Sequence, residues 1–234
     1  MTGCLVLHGF TSSLDTVRPL LAKLDEVGIP YEVPILRGHG GRPEDLEGVR
    51  WEHWVEDAAI GLQHLTQGRK PAVVIGHSMG GLLALDLAAT CSQQVQAVVS
   101  VSTCLRFRHP GVYVLPIIEQ FYPYWNTRPH YVDQKQAATH TNYRRFPTRA
   151  FGELYRYSHL VRERLPMVTC PLLVLQSSID RTVRPRSATK IYREVSSTDK
   201  EVAWFNHTGH EMLRDAQRDA VAYRIIEFIQ RQGP

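Results

Sequence analysis

Six short apolar runs, separated by segments of helical period, constrain this 234-residue chain more than any other feature of it. The runs are Cys4 to His8, Tyr31 to Leu36, Ala72 to Gly76, Ala97 to Ser102, Leu172 to Ser177 and Glu201 to Phe205, each closed by a polar or glycine-containing turn. Continuous apolar character suits strands buried on both faces, and strands that alternate with helices build a parallel sheet covered by helices. Between the runs, Val17, Leu20, Leu21 and Leu24 fall at helical spacing, with Pro19 tolerated in the first turn and Gly28 ending the helix. Trp51, Trp54, Val55, Ala58, Leu62 and Leu65 repeat that spacing, as do Val221, Ile225, Phe228 and Ile229, and both sets predict core-facing stripes.

The rhythm stops from Arg106 to Leu165, a stretch too long for a structureless loop inside one domain. It holds twelve of the twenty-one aromatic residues and nine arginines, which predicts a small, mostly helical insertion laid over one edge of the sheet. Such rings either wall an apolar pocket or simply hold the insertion down. The expected organisation is therefore a single α/β domain over 1–234 with 106–165 inserted within it.

Composition closes off other classes. With 43% hydrophobic and 21% charged residues, disordered and coiled-coil chains are excluded. A net charge of +4, spread without a basic run, gives no footprint for nucleic acid. Cys4, Cys91, Cys104 and Cys170 are too scattered for a metal pattern or disulfide framework and read as free thiols. No basic segment precedes an apolar one at the N-terminus, and no apolar run approaches the ~18 residues that span a bilayer. The expectation is a soluble, cytoplasmic protein with no transmembrane segment.

Chemistry enters at Gly76-His77-Ser78-Met79-Gly80, with Ala72 to Ile75 before it and the helix-like Leu82 to Ala89 after it. A strand running directly into a helix forces the central residue into strained geometry and lifts its side chain above the sheet. A serine hydroxyl is a weak nucleophile at neutral pH, so Ser78 implies a histidine base and a carboxylate to orient it. The Met79 N–H, at the start of that helix, points where a carbonyl oxygen would turn negative. Ligands of open α/β sheets lie beyond the carboxyl ends of the strands, so the partners belong in later strand-end loops. Asp180 follows the fifth run. Asp199 precedes its strand and Asp215 falls in the last helix, so both point away from the catalytic edge. After the sixth run His207 and His210 compete; His210 is favoured because Gly209 permits an unusual turn before it. His8-Gly9-Phe10-Thr11 would offer the Phe10 N–H as a second oxyanion donor, and Arg37-Gly38-His39-Gly40 reads as a supporting loop.

With these residues together, the chain resembles the α/β-hydrolase superfamily, and within it the small bacterial carboxylesterases related to monoacylglycerol lipases. The landmarks are His8 to Thr11, Arg37 to Gly40, Gly76 to Gly80, Asp180 with Pro185, and Gly209-His210. The resemblance implies Ser78 as nucleophile, His210 as base, Asp180 as its orienting carboxylate, Phe10 and Met79 as oxyanion donors, and 106–165 as a cap over the acyl pocket. Three departures stand out: the chain opens on what would be the third strand, giving a mostly parallel sheet of six or seven strands; Ser12 follows HGFT in place of a glycine; and Ser177 replaces a glycine before the acid. The implied activity is hydrolysis of carboxylic esters of short-to-medium acyl chains or monoacylglycerols, with a small-molecule ester carrying a hydrophobic acyl or aryl group as partner and no metal or organic cofactor. Thioesterase, lactonase or amidase chemistry would use the same parts, and a non-catalytic protein binding a hydrophobic ligand would not need them.

Overall fold

The elements follow the sequence rhythm closely. In chain order they are β1 (Cys4–Leu7), α1 (Leu14–Glu26), β2 (Tyr31–Glu32), α2 (Trp51–Thr66), β3 (Ala72–His77), α3 (Met79–Thr90) and β4 (Val95–Val101). The inserted stretch carries α4 (Leu115–Ile118), β5 (Tyr124–Asn126), α5 (Gln134–Ala138), β6 (Arg145–Pro147) and α6 (Thr148–Arg164). Then come β7 (Leu172–Ser177), α7 (Arg186–Glu194), β8 (Lys200–Phe205) and α8 (Arg218–Arg231). The structure, a computed structural model, describes residues 2–67, 70–127 and 129–233; Met1, Gly68, Arg69, Arg128 and Pro234, which the 1–234 expectation includes, lie outside the described residues.

Six strands form one sheet in the order β2-β1-β3-β4-β7-β8, every neighbouring pair parallel. This is the α/β-hydrolase architecture, at the lower of the two strand counts expected. The second run stops early: only Tyr31 and Glu32 pair with β1, because Pro34 has no N–H to give the ladder. The insertion is helical over most of its ordered length but also contains an antiparallel ribbon, β5 against β6, with Trp125 opposite Phe146. Strands of three residues are too short to display alternation, so that ribbon leaves no periodic trace in the sequence.

Side chains alternate across the sheet and feed two cores. Cys4 and Val6 pack with Val17 and Leu20 of α1 and Val221 and Ile225 of α8. Leu5 and Leu7 pack on the other face with Trp54 of α2, Leu82 and Leu85 of α3, and Leu154 of α6. Helix α3 is buried on all sides from Met79 to Ala89, Asp86 included. The Asp86 carboxylate accepts from the Tyr157 hydroxyl at 2.9 Å and pairs with Arg164 at 2.6 Å, which ties α6 to the sheet-covering helix. All four cysteines are free; Cys4 and Cys104 lie in the core, where burial pushes each thiol up to about 12. Among the described residues no helix is long and apolar enough to cross a membrane.

Candidate active site

The sheet grows outward from β1 in both directions, β2 on one side and β3 on the other. Loops leaving the carboxyl ends of β1 and β3 therefore diverge, and a crevice opens between them. Gly9, Phe10 and Thr11 leave β1 there, and Ser78 leaves β3.

Ser78 is the whole connection between β3 and α3. Its backbone sits at φ 54°, ψ −110°, a conformation that costs a non-glycine residue about 1–3 kcal/mol. The surroundings hold it there: its N–H donates to the Val101 carbonyl at 2.9 Å, closing the turn against β4. Gly80 makes the turn possible, because a β-carbon at that position would collide with the Leu7 carbonyl.

The hydroxyl of Ser78 lies 3.0 Å from His210 Nε2, and His210 Nδ1 lies 2.8 Å from Asp180 Oδ2. An ionised carboxylate only accepts, so Nδ1 carries the proton and Nε2 is left to accept from the serine. Asp180 follows β7 and is fully buried. Its other oxygen accepts the N–H groups of Thr182 at 2.8 Å and Val183 at 2.9 Å, and Gln176 Nε2 donates to Oδ2 at 3.2 Å. Burial opposes charge on Asp180, but His210 and those N–H groups outweigh it and hold the carboxyl below its ordinary value. Burial likewise pushes His210 down, and Asp180 more than reverses that, leaving the imidazole above its ordinary value.

The competing histidine is elsewhere. His207 is exposed, and its N–H donates to Gln217 at 2.8 Å. Gly209 is required for a different reason from the one expected: its φ is not positive, but a β-carbon there would run into the His130 carbonyl of the insertion. Asp215 is a second correction. It lies before α8, not within it, and is fully buried beneath the His210 loop. Its carboxylate accepts from the N–H groups of Gly209, Val132 and Asp133, joining that loop to the insertion. Helix periodicity carries the last helix too far toward the N-terminus; the aspartate is satisfied by main-chain donors that no local pattern announces. Asp199 is exposed ahead of β8.

His77, the variable residue of the turn, braces His210: its Nε2–H donates to the His210 carbonyl at 3.0 Å, and the two rings lie 5.2 Å apart. Ser177 donates to the Thr208 carbonyl at 2.6 Å, so the side chain that departs from the family pattern fastens the His210 loop to β7. His8 accepts the Leu36 N–H at 3.2 Å and donates to the Gly9 carbonyl at 2.9 Å, while His39 donates to the Leu36 and Arg37 carbonyls. Burial pushes His8 down to about 4 and His39, with His8 beside it, to about 3. The loop after β2 is thereby locked against β1. The Phe10 N–H donates to no acceptor among the described residues, and Met79, first in α3, has no acceptor within its helix.

A cavity of ≈ 300 Å³ opens over Ser78 and His210, with Phe107, Phe146 and Phe151 of the insertion among its walls. Phe10 packs edge-on against Phe146 at 5.2 Å and Phe151 at 5.9 Å. An apolar chamber with a hydroxyl and an imidazole at its wall can hold a hydrophobic acyl group against that hydroxyl.

Comparison with known proteins agrees in kind. A family profile described as serine aminopeptidase, S33, matches residues 2–217. A carboxylesterase of Bacillus subtilis (strain 168) is 27% identical over 97% of this chain and 92% of its own. A thermostable monoacylglycerol lipase of Bacillus sp. (strain H-257) is 28% identical over 97% of this chain and 89% of its own. A solved structure from work on LipS and LipT, two metagenome-derived lipolytic enzymes, superposes with a TM-score of 0.93 at 25% identity, covering 98% of this chain and 94% of that one.

Proposed function

The chain belongs to the serine aminopeptidase S33 family of α/β-hydrolases, and from that premise we propose a serine carboxylesterase in which Ser78, His210 and Asp180 do the chemistry. It is a serine hydrolase of ester bonds. The family description names a peptidase, but two relatives matched over 97% of this chain, a carboxylesterase and a monoacylglycerol lipase, are named for esters, and the ester reading follows them.

In the proposed reaction Ser78 Oγ attacks the ester carbonyl carbon and gives its proton to His210 Nε2. The negative oxygen of the tetrahedral intermediate is received by the N–H groups of Phe10 and Met79. Collapse breaks the carbon–oxygen bond to the alcohol, which departs with the proton from His210. Water then attacks the acyl-serine, gives one proton to His210, and the acid leaves as Ser78 recovers its proton. Asp180 stays ionised and holds the imidazole in the useful tautomer throughout.

Residues 106–165 act in this reading as a cap that shapes the acyl pocket. The aromatic walls and modest volume favour short-to-medium acyl chains or monoacylglycerols, in line with the lipase relative. The observation that carries the reading is the unbroken hydrogen-bond chain from Asp180 to Ser78 at the edge of an apolar cavity. The test is hydrolysis of a chain-length series of p-nitrophenyl esters and of monoacylglycerol by wild type and Ser78→Ala. Turnover confined to the wild type, peaking at short-to-medium chains, is the expected result. No turnover of any ester by the wild type would overturn it.

A further inference from the structure

A second hollow, of ≈ 170 Å³, shares Phe107 with the cavity over Ser78. Its walls come from four segments: Arg106 and Phe107 at the start of the insertion, Tyr113 ahead of α4, Tyr155, His159 and Arg162 on α6, and Arg184 ahead of α7. On α6 those three residues are spaced at i, i+4 and i+7, one face of the helix. None of Arg106, Arg162 and Arg184 makes an ion pair with a carboxylate among the described residues, whereas Arg156 and Arg164 of the same helix do.

Arg106, Arg162 and Arg184 are exposed, so water and salt screen their mutual repulsion, and together they give the hollow a positively charged rim. The backbone fixes Arg184 there. Arg184 Nε donates to the Phe107 carbonyl at 3.1 Å, its N–H donates to the Arg106 carbonyl at 2.9 Å, and Phe107 pairs with Val183. Arg184 thus commits one donor to the main chain and keeps its terminal nitrogens for another partner. The same strap reaches the triad, because Arg108 Nη1 donates to the Asp180 carbonyl at 2.8 Å.

We propose that this hollow is an anion site for a carboxylate with an apolar tail, the class of product that ester hydrolysis releases. The inference rests on the esterase reading for its source of ligand. Hydrolysis adds water across the acyl–oxygen bond, the acid formed passes its proton to solvent, and the remaining carboxylate is poorly housed in an aromatic chamber. Arginines suit it through paired N–H donors, and Phe107 and Tyr155 offer an apolar surface to the adjoining carbons. An ester whose acyl chain ends in a second, free carboxylate presents the same group to the same place from the substrate side.

The experiment is calorimetric titration of Ser78→Ala protein with octanoate and with neutral 1-octanol. The expected result is binding of octanoate about tenfold tighter than octanol, a preference that falls to about twofold in Arg162→Gln/Arg184→Gln and is restored in Arg162→Lys/Arg184→Lys. Arg162→Gln alone, a substitution of an exposed side chain, tests the same point should the double variant fold poorly. Equal affinity for octanoate and octanol in the parent, or a preference untouched by removing the arginines, would overturn the site. Wild-type hydrolysis of a p-nitrophenyl ester ending in a free carboxylate, compared with its methyl-capped form, separates the sources: a carboxylate preference lost in the arginine variants assigns the hollow to substrates, and its absence beside octanoate binding assigns it to product. Because binding is read on protein unable to turn over, failure of the esterase reading appears in the wild-type assay alone and failure of the site in the titration alone.

Discussion

His77 Nε2 holds the main-chain oxygen of His210 at 3.0 Å, so the residue that precedes Ser78 also sets the loop that carries the imidazole facing its hydroxyl. Removing that imidazole leaves the His210 loop without one of its fixed points and a buried carbonyl without its donor. His77→Ala is expected to lower kcat about tenfold with little change in KM and to cost about 1–3 kcal/mol of stability. Steady-state kinetics and urea unfolding check both; an unchanged kcat would refute the positioning role.

The two histidines after β8 separate cleanly in kinetics. His210→Ala is expected to reduce kcat by about 10⁴-fold, whereas His207→Ala, an exposed substitution, keeps most of the activity. The reverse pattern would remove His210 as the base.

The pH profile follows from the pair His210 and Asp180. The base works only when neutral, and Asp180 raises His210 above its ordinary 6.5, so kcat/KM is expected to rise with pH through a midpoint above that value. In Asp180→Asn the negative partner is gone and burial is opposed only by the smaller pull of Glu211, so residual activity should show a midpoint moved down. A midpoint unmoved by that substitution would contradict the assignment.

Acid sensitivity has a separate origin in His8 and His39. Both are kept neutral in the fold, at about 4 and about 3, against 6.5 in an unfolded chain. Below 6.5 the unfolded chain takes up protons that the fold refuses. The stability in question is therefore complete above 6.5 and drains away as pH falls toward the folded values. From pH 7 to 5 each histidine is expected to cost about 2 kcal/mol. Urea unfolding across that range measures it, and His39→Asn should make the dependence shallower by about one proton; a wild type equally stable at both pH values would refute it.

Tyr157→Phe probes the anchorage of α6. The substitution leaves Asp86 paired with Arg164 but strips one donor from a buried carboxylate, which should cost about 1–3 kcal/mol with kcat nearly unchanged. Calorimetric melting and a parallel assay decide it.

What can be read in the sequence tracks how local its cause is. β7 appears at its full length because Leu172 to Leu175 is an uninterrupted apolar run, and Ser78, Asp180 and the His207/His210 alternatives are legible because each sits at a strand end. β2 ends early at a proline whose effect on the ladder is visible only once its neighbour is known. The ribbon pairing Tyr124 with Pro147 and the clasp of Asp215 on Val132 and Gly209 join residues with no shared periodicity, so only the folded chain brings them into view. Gly209 shows the same limit: the sequence marks the residue, but the cause is a passing carbonyl from the insertion and not its own dihedral angle.

The whole insertion leaves the sheet after β4 and returns at β7, and those two strands are neighbours. Pro171 and Val98 meet on that seam through a 2.9 Å hydrogen bond that has no dependence on what the intervening residues do. An exchange of the segment between Arg106 and Leu165 is thus topologically a loop swap: no strand would need rethreading, but the seams to be matched are many, among them Arg108 on the Asp180 carbonyl, Asp215 on Val132, Tyr143 on Gly38 and Gly41, Asn142 with Glu211, and Asp86 with Tyr157 and Arg164. The scaffold can keep its hydrolytic edge constant while chambers of different shape are fitted above it.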